Sequence, residues 1–388
     1  LGVASLLSAT TALGQDIIPD SEAERDSYAA EIDRQRIGIV TGGPGGTYIQ
    51  LGSDLSRLVE SATERAVRVI VMEGRGSVGN LQDLVFLKYT DLALVQADVL
   101  AWIERNNPND YTFLNNYLRF VARFHPEIIH VLTRGGPIDG PAALAGKRIA
   151  IGAAGSGTAI TAPLVFDLLG VDAEYVPLHQ DAALADLLSD APTVDAMVYV
   201  AGRGSPLFTR LSPEMARLVE DKQIYFVPFP EPPPADSSYV AVSVSSTDYP
   251  SFIEQGTEVP AWSVPAVLAV YNWDPRLSNT HVDRHRRLVA FINAFFDNRK
   301  KLNDGPGGFN ENWCSIDLAN EVGGWTRFSA AQDWLDQNTD TAICEEQAKT
   351  ACRETFAVEM REAGLDPANA AVGALFDDWR KQNSSACP

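Results

Sequence analysis

One unit recurs along this chain and limits what it can become: an apolar strand, a glycine-rich turn, then an amphipathic helix. Residues 36–41 (RIGIVT) have the strand pattern, 42–46 (GGPGG) the turn, and 47–62 the helix, with Tyr48, Leu51, Leu55, Leu58 and Val59 on one face. The unit returns at 67–72, followed by EGRG and a helix from Ser77. It returns again at 148–152, followed by AAGSG and a helix reaching Leu169. Further strands are predicted at 91–95, 127–133, 174–177 and 194–200, with a helix near 181–189. Strands alternating with helices through short connections imply an α/β fold whose parallel strands are covered on both faces.

Two sheets are expected rather than one. The first group of units ends near 119–124, after an Asn-rich segment (RNNPNDY) read as a loop, and the second ends at the Pro-rich run VPFPEPPPADSS. Strands at 239–245 and 264–272 have no partner units of their own. The chain is therefore expected to build one lobe from 36–124 and 236–302 and a second from 125–235, with a ligand cleft outside the carboxyl ends of the strands.

The ends of the chain differ from this body. The first 13 residues (LGVASLLSATTAL) carry no charge and read as the tail of a secretory signal peptide, residues 1–14, cleaved near Gly14. Residues 15–35 read as an acidic linker or a surface helix. Residues 303–388 form a C-terminal extension, predicted helical, that holds all four cysteines. In an exported chain these suggest two disulfides rather than zinc, for which no C-x-x-C or neighbouring histidine is present. If Cys344 and Cys352 share a helix, their Cα atoms stand about 12 Å apart, too far to bond. A second helix over 369–382 then favours the pairs 344–387 and 314–352. The 51 acidic and 31 basic residues give a formal charge of -20. With no basic cluster, this argues against nucleic acid or an anionic membrane face as partner. Residues 15–35 hold a net -5 and 303–388 a net -9, so only -6 falls on 36–302.

Polar residues recur at equivalent strand ends. Thr41, Gly46, Thr47 and Tyr48 follow the first strand, Ser77 and Asn80 open the next helix, Gln96 ends DLALVQ, and Ser156 and Thr158 stand in GSGT. Helix N-termini converging there favour an anion such as a carboxylate. Arg203 and Arg75, in cleft-facing loops, are candidates for a bidentate bond to it. Singly, each Gly-Ser-Thr cluster also reads as a turn with an N-cap.

Taken in order, TGGPGGTYIQLGSDLSRLVE, GRGSVGNLQDL, DLALVQADVL, FHPEIIHVLTR, LAGKRIAIGAAGSGTAITA and VDAMVYVAG resemble the substrate-binding subunits of TRAP (tripartite ATP-independent periplasmic) transporters of the TAXI type, over about residues 36–300. The resemblance implies a periplasmic binding protein with the two-lobe, type II fold, and a monomer is expected. It implies closure on a small anionic solute, an organic acid or amino acid, delivered to TRAP membrane permease subunits driven by an ion gradient. It places Thr41, Gly46, Thr47, Tyr48, Ser77, Asn80, Gln96, Ser156 and Thr158 at the ligand. Three positions depart from the pattern: His125 where Tyr is common, Gly79 where an acid is common, and Arg203-Gly204-Ser205-Pro206 after the VYVAG strand.

Enzyme signatures are missing from the sequence. GGPGGTY is neither a phosphate-binding P-loop nor a dinucleotide fingerprint. Neither Ser77 nor Ser156 sits in a G-x-S-x-G elbow. His125 and His130 read as core or surface residues, His281 and His285 as a solvated helix face, and no cofactor or metal is implied. Beside the transport reading stand two others: a receptor for an ATP-driven importer or a sensor, and a periplasmic enzyme acting on a carboxylate.

Overall fold

The structure, a computed structural model, describes residues 21–344 except 44, 45, 230, 236 and 304–307, together with 356, 360, 365, 375 and 379. The strands are β1 (Arg36–Val40), β2 (Arg68–Met72), β3 (Leu92–Gln96), β4 (Leu118–Arg134) and β5 (Arg148–Ala150). They continue with β6 (Glu174–Val176), β7 (Ala196–Ala201), β8 (Ile224–Phe226), β9 (Val240–Ser245) and β10 (Glu258–Tyr271). The helices are α1 (Glu22–Gln35), α2 (Thr47–Ala62), α3 (Ser77–Phe86), α4 (Val99–Asn106), α5 (Pro108–Tyr117) and α6 (Gly157–Leu168). After them come α7 (Gln180–Leu188), α8 (Pro206–Thr209), α9 (Pro213–Asp221), α10 (Asn279–Asp297) and α11 (Ser329–Leu335).

All ten strands belong to one sheet, ordered β2-β1-β3-β10-β4-β7-β5-β6, with β8 paired to β4 and β9 to β10. The expectation of two sheets is therefore corrected. What joins them is length: β4 has 17 residues and β10 has 14, so each runs through both wings of a curled sheet. The sheet is also mixed. β1 pairs in parallel with β2 and β3, and β5 with β6 and β7, whereas β10 runs antiparallel to β3 and β4, and β4 antiparallel to β7 and β8. This is the half-barrel, two-winged arrangement of type II periplasmic binding proteins. Where β4 passes between wings, Pro126 stands opposite Pro265, and a register shift follows between Pro265 and Val267. Neither proline has an N–H to give the ladder, so the ladder is locally interrupted at the crossing.

The RNNPNDY segment is not a loop. It holds the junction of α4 and α5, with Pro108 at the first position of α5, where its missing N–H costs nothing. Residues 22–35 form the surface helix α1, with a capping box between Ser21 and Glu24 and no buried residue. Residues 1–20, with the expected signal-peptide remnant, lie outside the described residues.

The chain after residue 303 is built into the first wing. Trp313, Ile316, Leu318 and Phe328 are fully buried against Leu51 and Leu55 of α2 and Phe291 and Phe295 of α10. At about 2 kcal/mol for each buried side chain, these four contribute about 8 kcal/mol, as much as a whole domain's net stability. Cys314 is bonded to Cys344, with Cα atoms 5.1 Å apart, which overturns the expected 314–352 and 344–387 pairs. The reason is local. Cys344 ends an extended segment that lies beside 316–318 through the Asp317–Ala342 bridge and the Leu318–Thr341 hydrogen bond, instead of standing inside a helix. Cys352, Cys387 and most of the helix expected over 369–382 lie outside the described residues.

Candidate functional site

A cavity of about 570 Å³ opens where the two wings meet at the carboxyl ends of their strands. Thr41 and Gln96 come from the ends of β1 and β3, Thr47 and Tyr48 from α2, Ser77 and Asn80 from α3, and Ser156 and Thr158 from the start of α6. With Gly46 and Arg203, all ten residues chosen from the sequence line it. Arg75 does not: it turns away to Asp83, at 2.9 Å, on the surface.

Lining a cavity and being free to bind are different things, and the hydrogen bonds separate them. Asn80 is fully buried, and its side chain is wholly committed to the protein. Its Nδ2 donates to the carbonyls of Thr41 and Leu94 at 2.5 and 2.8 Å, and its Oδ1 accepts from the Arg75 N–H at 3.1 Å. Thr41 Oγ1 donates to the Met72 carbonyl, Ser77 Oγ accepts from the Gln96 N–H, and Thr158 Oγ1 accepts from the Val200 N–H. These bonds tie strand ends to helix starts. Ser156 caps α6 through the Ala159 N–H. By contrast α2 and α3 begin after Gly46 and Gly76, neither of which supplies a side-chain cap, so their first-turn N–H groups are left for something else. Arg203 is engaged too, donating to Asp248 at 2.7 Å and to the Ser243 carbonyl at 2.9 Å.

Two glycines let the wings approach. A Cβ on Gly157 would lie 2.2 Å from Gln96 Oε1. One on Gly76, whose φ of +94° already favours glycine, would lie 2.6 Å from the Gly155 carbonyl of the other wing.

The sequence reading missed the most polar feature of the cavity. Glu127 lines it from β4, one residue past Pro126, and is the only acid among its described lining residues. No lysine, arginine or histidine among the described residues pairs with it. Its Oε2 accepts a 3.0 Å bond from the Tyr48 hydroxyl, so Tyr48 orients the carboxyl as much as it faces the cavity. Burial raises the Glu127 carboxyl to about 7, against the lowering effect of hydrogen bonds from Tyr48 and Gln96. Burial likewise raises nearby Asp98 to about 6, although Thr161 and Tyr239 donate to its Oδ2. The one signal for Glu127 was a carboxylate inside the strand run FHPEIIHVL, whose other residues are apolar apart from two histidines. Arg210, Tyr199, Asn310 and Asn312 also line the cavity. The two asparagines arrive from the chain after 303 and had no local signal at all.

His125 and His130 are buried in the core, where burial lowers both to about 4. His130 contacts the Tyr199 carbonyl and the Tyr249 hydroxyl. His281 and His285 are half-buried beside Trp273 rather than on a solvated face. Among the described residues no group of three or more His, Cys, Asp or Glu is placed to hold a metal ion, and no helix is long and apolar enough to cross a membrane.

Residues 39–237 match the family described as the NMT1-like family. Among solved structures, the chain is similar to the periplasmic sulfonate-binding protein SsuA of a sulfonate ABC transporter from Methylobacillus flagellatus, at 13% identity over 90% of this chain and 95% of that one, with a TM-score of 0.44. It is similar to a TctC solute-binding protein from Polaromonas, at 16% identity over 74% and 91%, TM-score 0.35. It is also similar to a TRAP periplasmic solute-binding protein from Ochrobactrum anthropi, at 12% identity over 78% and 90%, TM-score 0.37.

Proposed function

Because the chain belongs to the NMT1-like family, we propose that it is a non-catalytic, periplasmic solute receptor of the TAXI type. In this reading it captures a small organic acid or amino acid and hands it to an ion-gradient-driven TRAP permease. The observation that carries the reading is the cavity itself. Thr41, Ser77 and Gln96 from one wing face Ser156, Thr158 and Tyr199 from the other, so a solute held there touches both.

The mechanism follows from that arrangement. A carboxylate entering the open cleft loses water and gains the uncapped N–H groups of α2 and α3, with the positive ends of their dipoles. The buried bonds of Asn80 and Ser77 fix the start of α3, and that of Thr158 the start of α6, before the solute arrives, so little ordering cost falls on binding. Contacts on both wings favour the closed form, and the proline pair at the β4–β10 crossing supplies a place to bend. Closure then marks a loaded receptor for the permease. A thermal-shift screen of organic and amino acids, with mass spectrometry of what co-purifies, tests this: one class of carboxylate should raise the melting temperature in proportion to log concentration. A flat response to every carboxylate contradicts it.

A further inference from the structure

The unpaired Glu127 narrows the class of solute. The cavity carries one acid and two arginines, and of these Arg203 is already paired with Asp248 while Arg210 makes no ion pair among the described residues. A dicarboxylate seated here brings two negative charges to a site that already holds a carboxyl group paired with no cation among the described residues. Placing like charges together in a desolvated cleft is costly unless a proton is shared between them.

A second observation points the same way. Gln96 is 3% exposed, lines the cavity, and its Oε1 has no donor. With Glu127 this makes two acceptor groups on one wall, and Tyr48 holds the carboxylate at 3.0 Å. The opposite requirement stands at the helix starts, where the N–H groups after Gly46 and Gly76 need acceptors. A wall that needs N–H donors and a wall that needs an anion are complementary to the two ends of one small molecule.

We propose that the solute is a zwitterion, an α-amino acid, whose ammonium group sits at Glu127 and Gln96 and whose carboxylate sits at the N-termini of α2 and α3. This rests on the receptor reading above and goes beyond it by choosing among carboxylates. Glu127 is then the residue that separates amino acids from the oxo acids and dicarboxylates of the same length. Facing it are Tyr48 from α2, Gln96 from β3 and Tyr199 from β7, with Asp98 beyond β3, and none of these supplies a positive charge.

The test is titration calorimetry on matched triples that differ only at the α-carbon: glutamate, 2-oxoglutarate and glutarate; aspartate, oxaloacetate and succinate; leucine, 4-methyl-2-oxopentanoate and 4-methylpentanoate. In the triple that binds best, the amino acid should bind at least about tenfold more tightly than both analogues. In Glu127→Gln that preference should fall below about threefold. A wild-type protein that binds the oxo acid or the plain acid as tightly overturns the inference and leaves the receptor reading intact. No binding by any member of the triples, or by the remaining common amino acids, removes both. Independently of any variant, titrations in buffers of different ionisation heat should show protons released as the ammonium meets the Glu127 carboxylate. Proton uptake instead means that the acid is protonated to receive a second carboxylate, and refutes the assignment.

Discussion

Asn80 separates a residue that holds the site from one that touches the solute. Its amide, itself fully buried, bonds the carbonyls of Thr41 and Leu94 and the N–H of Arg75. Asn80→Ala removes three bonds and leaves three backbone groups facing the space the carboxamide vacates. At about 1 kcal/mol for each net bond, and more for any group that finds no water, the loss comes to about 3–5 kcal/mol. That is a large part of a domain's stability. Urea denaturation followed by tryptophan fluorescence should show the midpoint falling by the corresponding amount with an unchanged slope. Solute affinity should fall as well, because the start of α3 is no longer tied to β1 and β3. Gly74 supports the same geometry: a Cβ there would lie 2.2 Å from both Asn80 Oδ1 and the Thr41 carbonyl. An Asn80→Ala protein within about 0.5 kcal/mol of wild type, yet unable to bind, would refute the reasoning, since the side chain would then be facing the solute rather than the backbone.

Three other outcomes are expected. Glu127 has its carboxyl raised to about 7 by burial, so between its ordinary value of 4.5 and 7 the folded state holds a proton that the unfolded chain releases, and stability falls as pH rises. Glu127→Gln should therefore gain about 2 to 3 kcal/mol relative to wild type between pH 4 and pH 8; a pH-independent difference in urea midpoints contradicts this. Cys314 and Cys344 close a loop of 30 residues, and replacing both by serine should cost about 3–4 kcal/mol by chain entropy, read as a lower melting temperature. Gly157→Ala places a Cβ 2.2 Å from Gln96 Oε1 and should weaken solute binding by about tenfold in calorimetry, whereas unchanged affinity would mean the wings do not need this approach.

The α/β architecture was legible because strand, glycine turn and helix are all local patterns. The helix over 47–62 coincides with α2, and strand 174–177 with β6 to within a residue. The single sheet was not legible, because it depends on β4 and β10 continuing through both wings. The sequence pattern predicts the strand after Pro126 only over 127–133 and the later one only from 264, so neither is seen to continue through the crossing where Pro126 meets Pro265. The RNNPNDY segment misled for a related reason: its proline and asparagines mark both a turn and a helix start, and here they start α5. At the site, position was easier to read than role. Thr41, Ser77, Asn80 and Thr158 lie where the recurring unit puts them, but which way each hydroxyl or amide is spent depends on carbonyls and N–H groups from other strands. Glu127 escaped because a strand's period does not distinguish a buried acid from a rim one. Asn310 and Asn312 escaped because only tertiary packing, through the Asp54 carboxylate that accepts from Asn310 N and Trp313 Nε1, brings their segment to the cleft.

The acidic balance of the chain also takes a different meaning. Among the described residues the cleft holds a single unpaired carboxyl group, and the surplus of negative charge elsewhere says nothing about the sign of the solute.

The most direct measurement is a crystal structure of the protein grown with the solute that the thermal screen identifies. Electron density is predicted in the cavity between the starts of α2, α3 and α6, in contact with Glu127 and with residues of both wings. An empty cleft, with the solute instead in the separate cavity of about 410 Å³ lined by Asp98, Tyr111, Tyr239 and Trp325, would contradict the account.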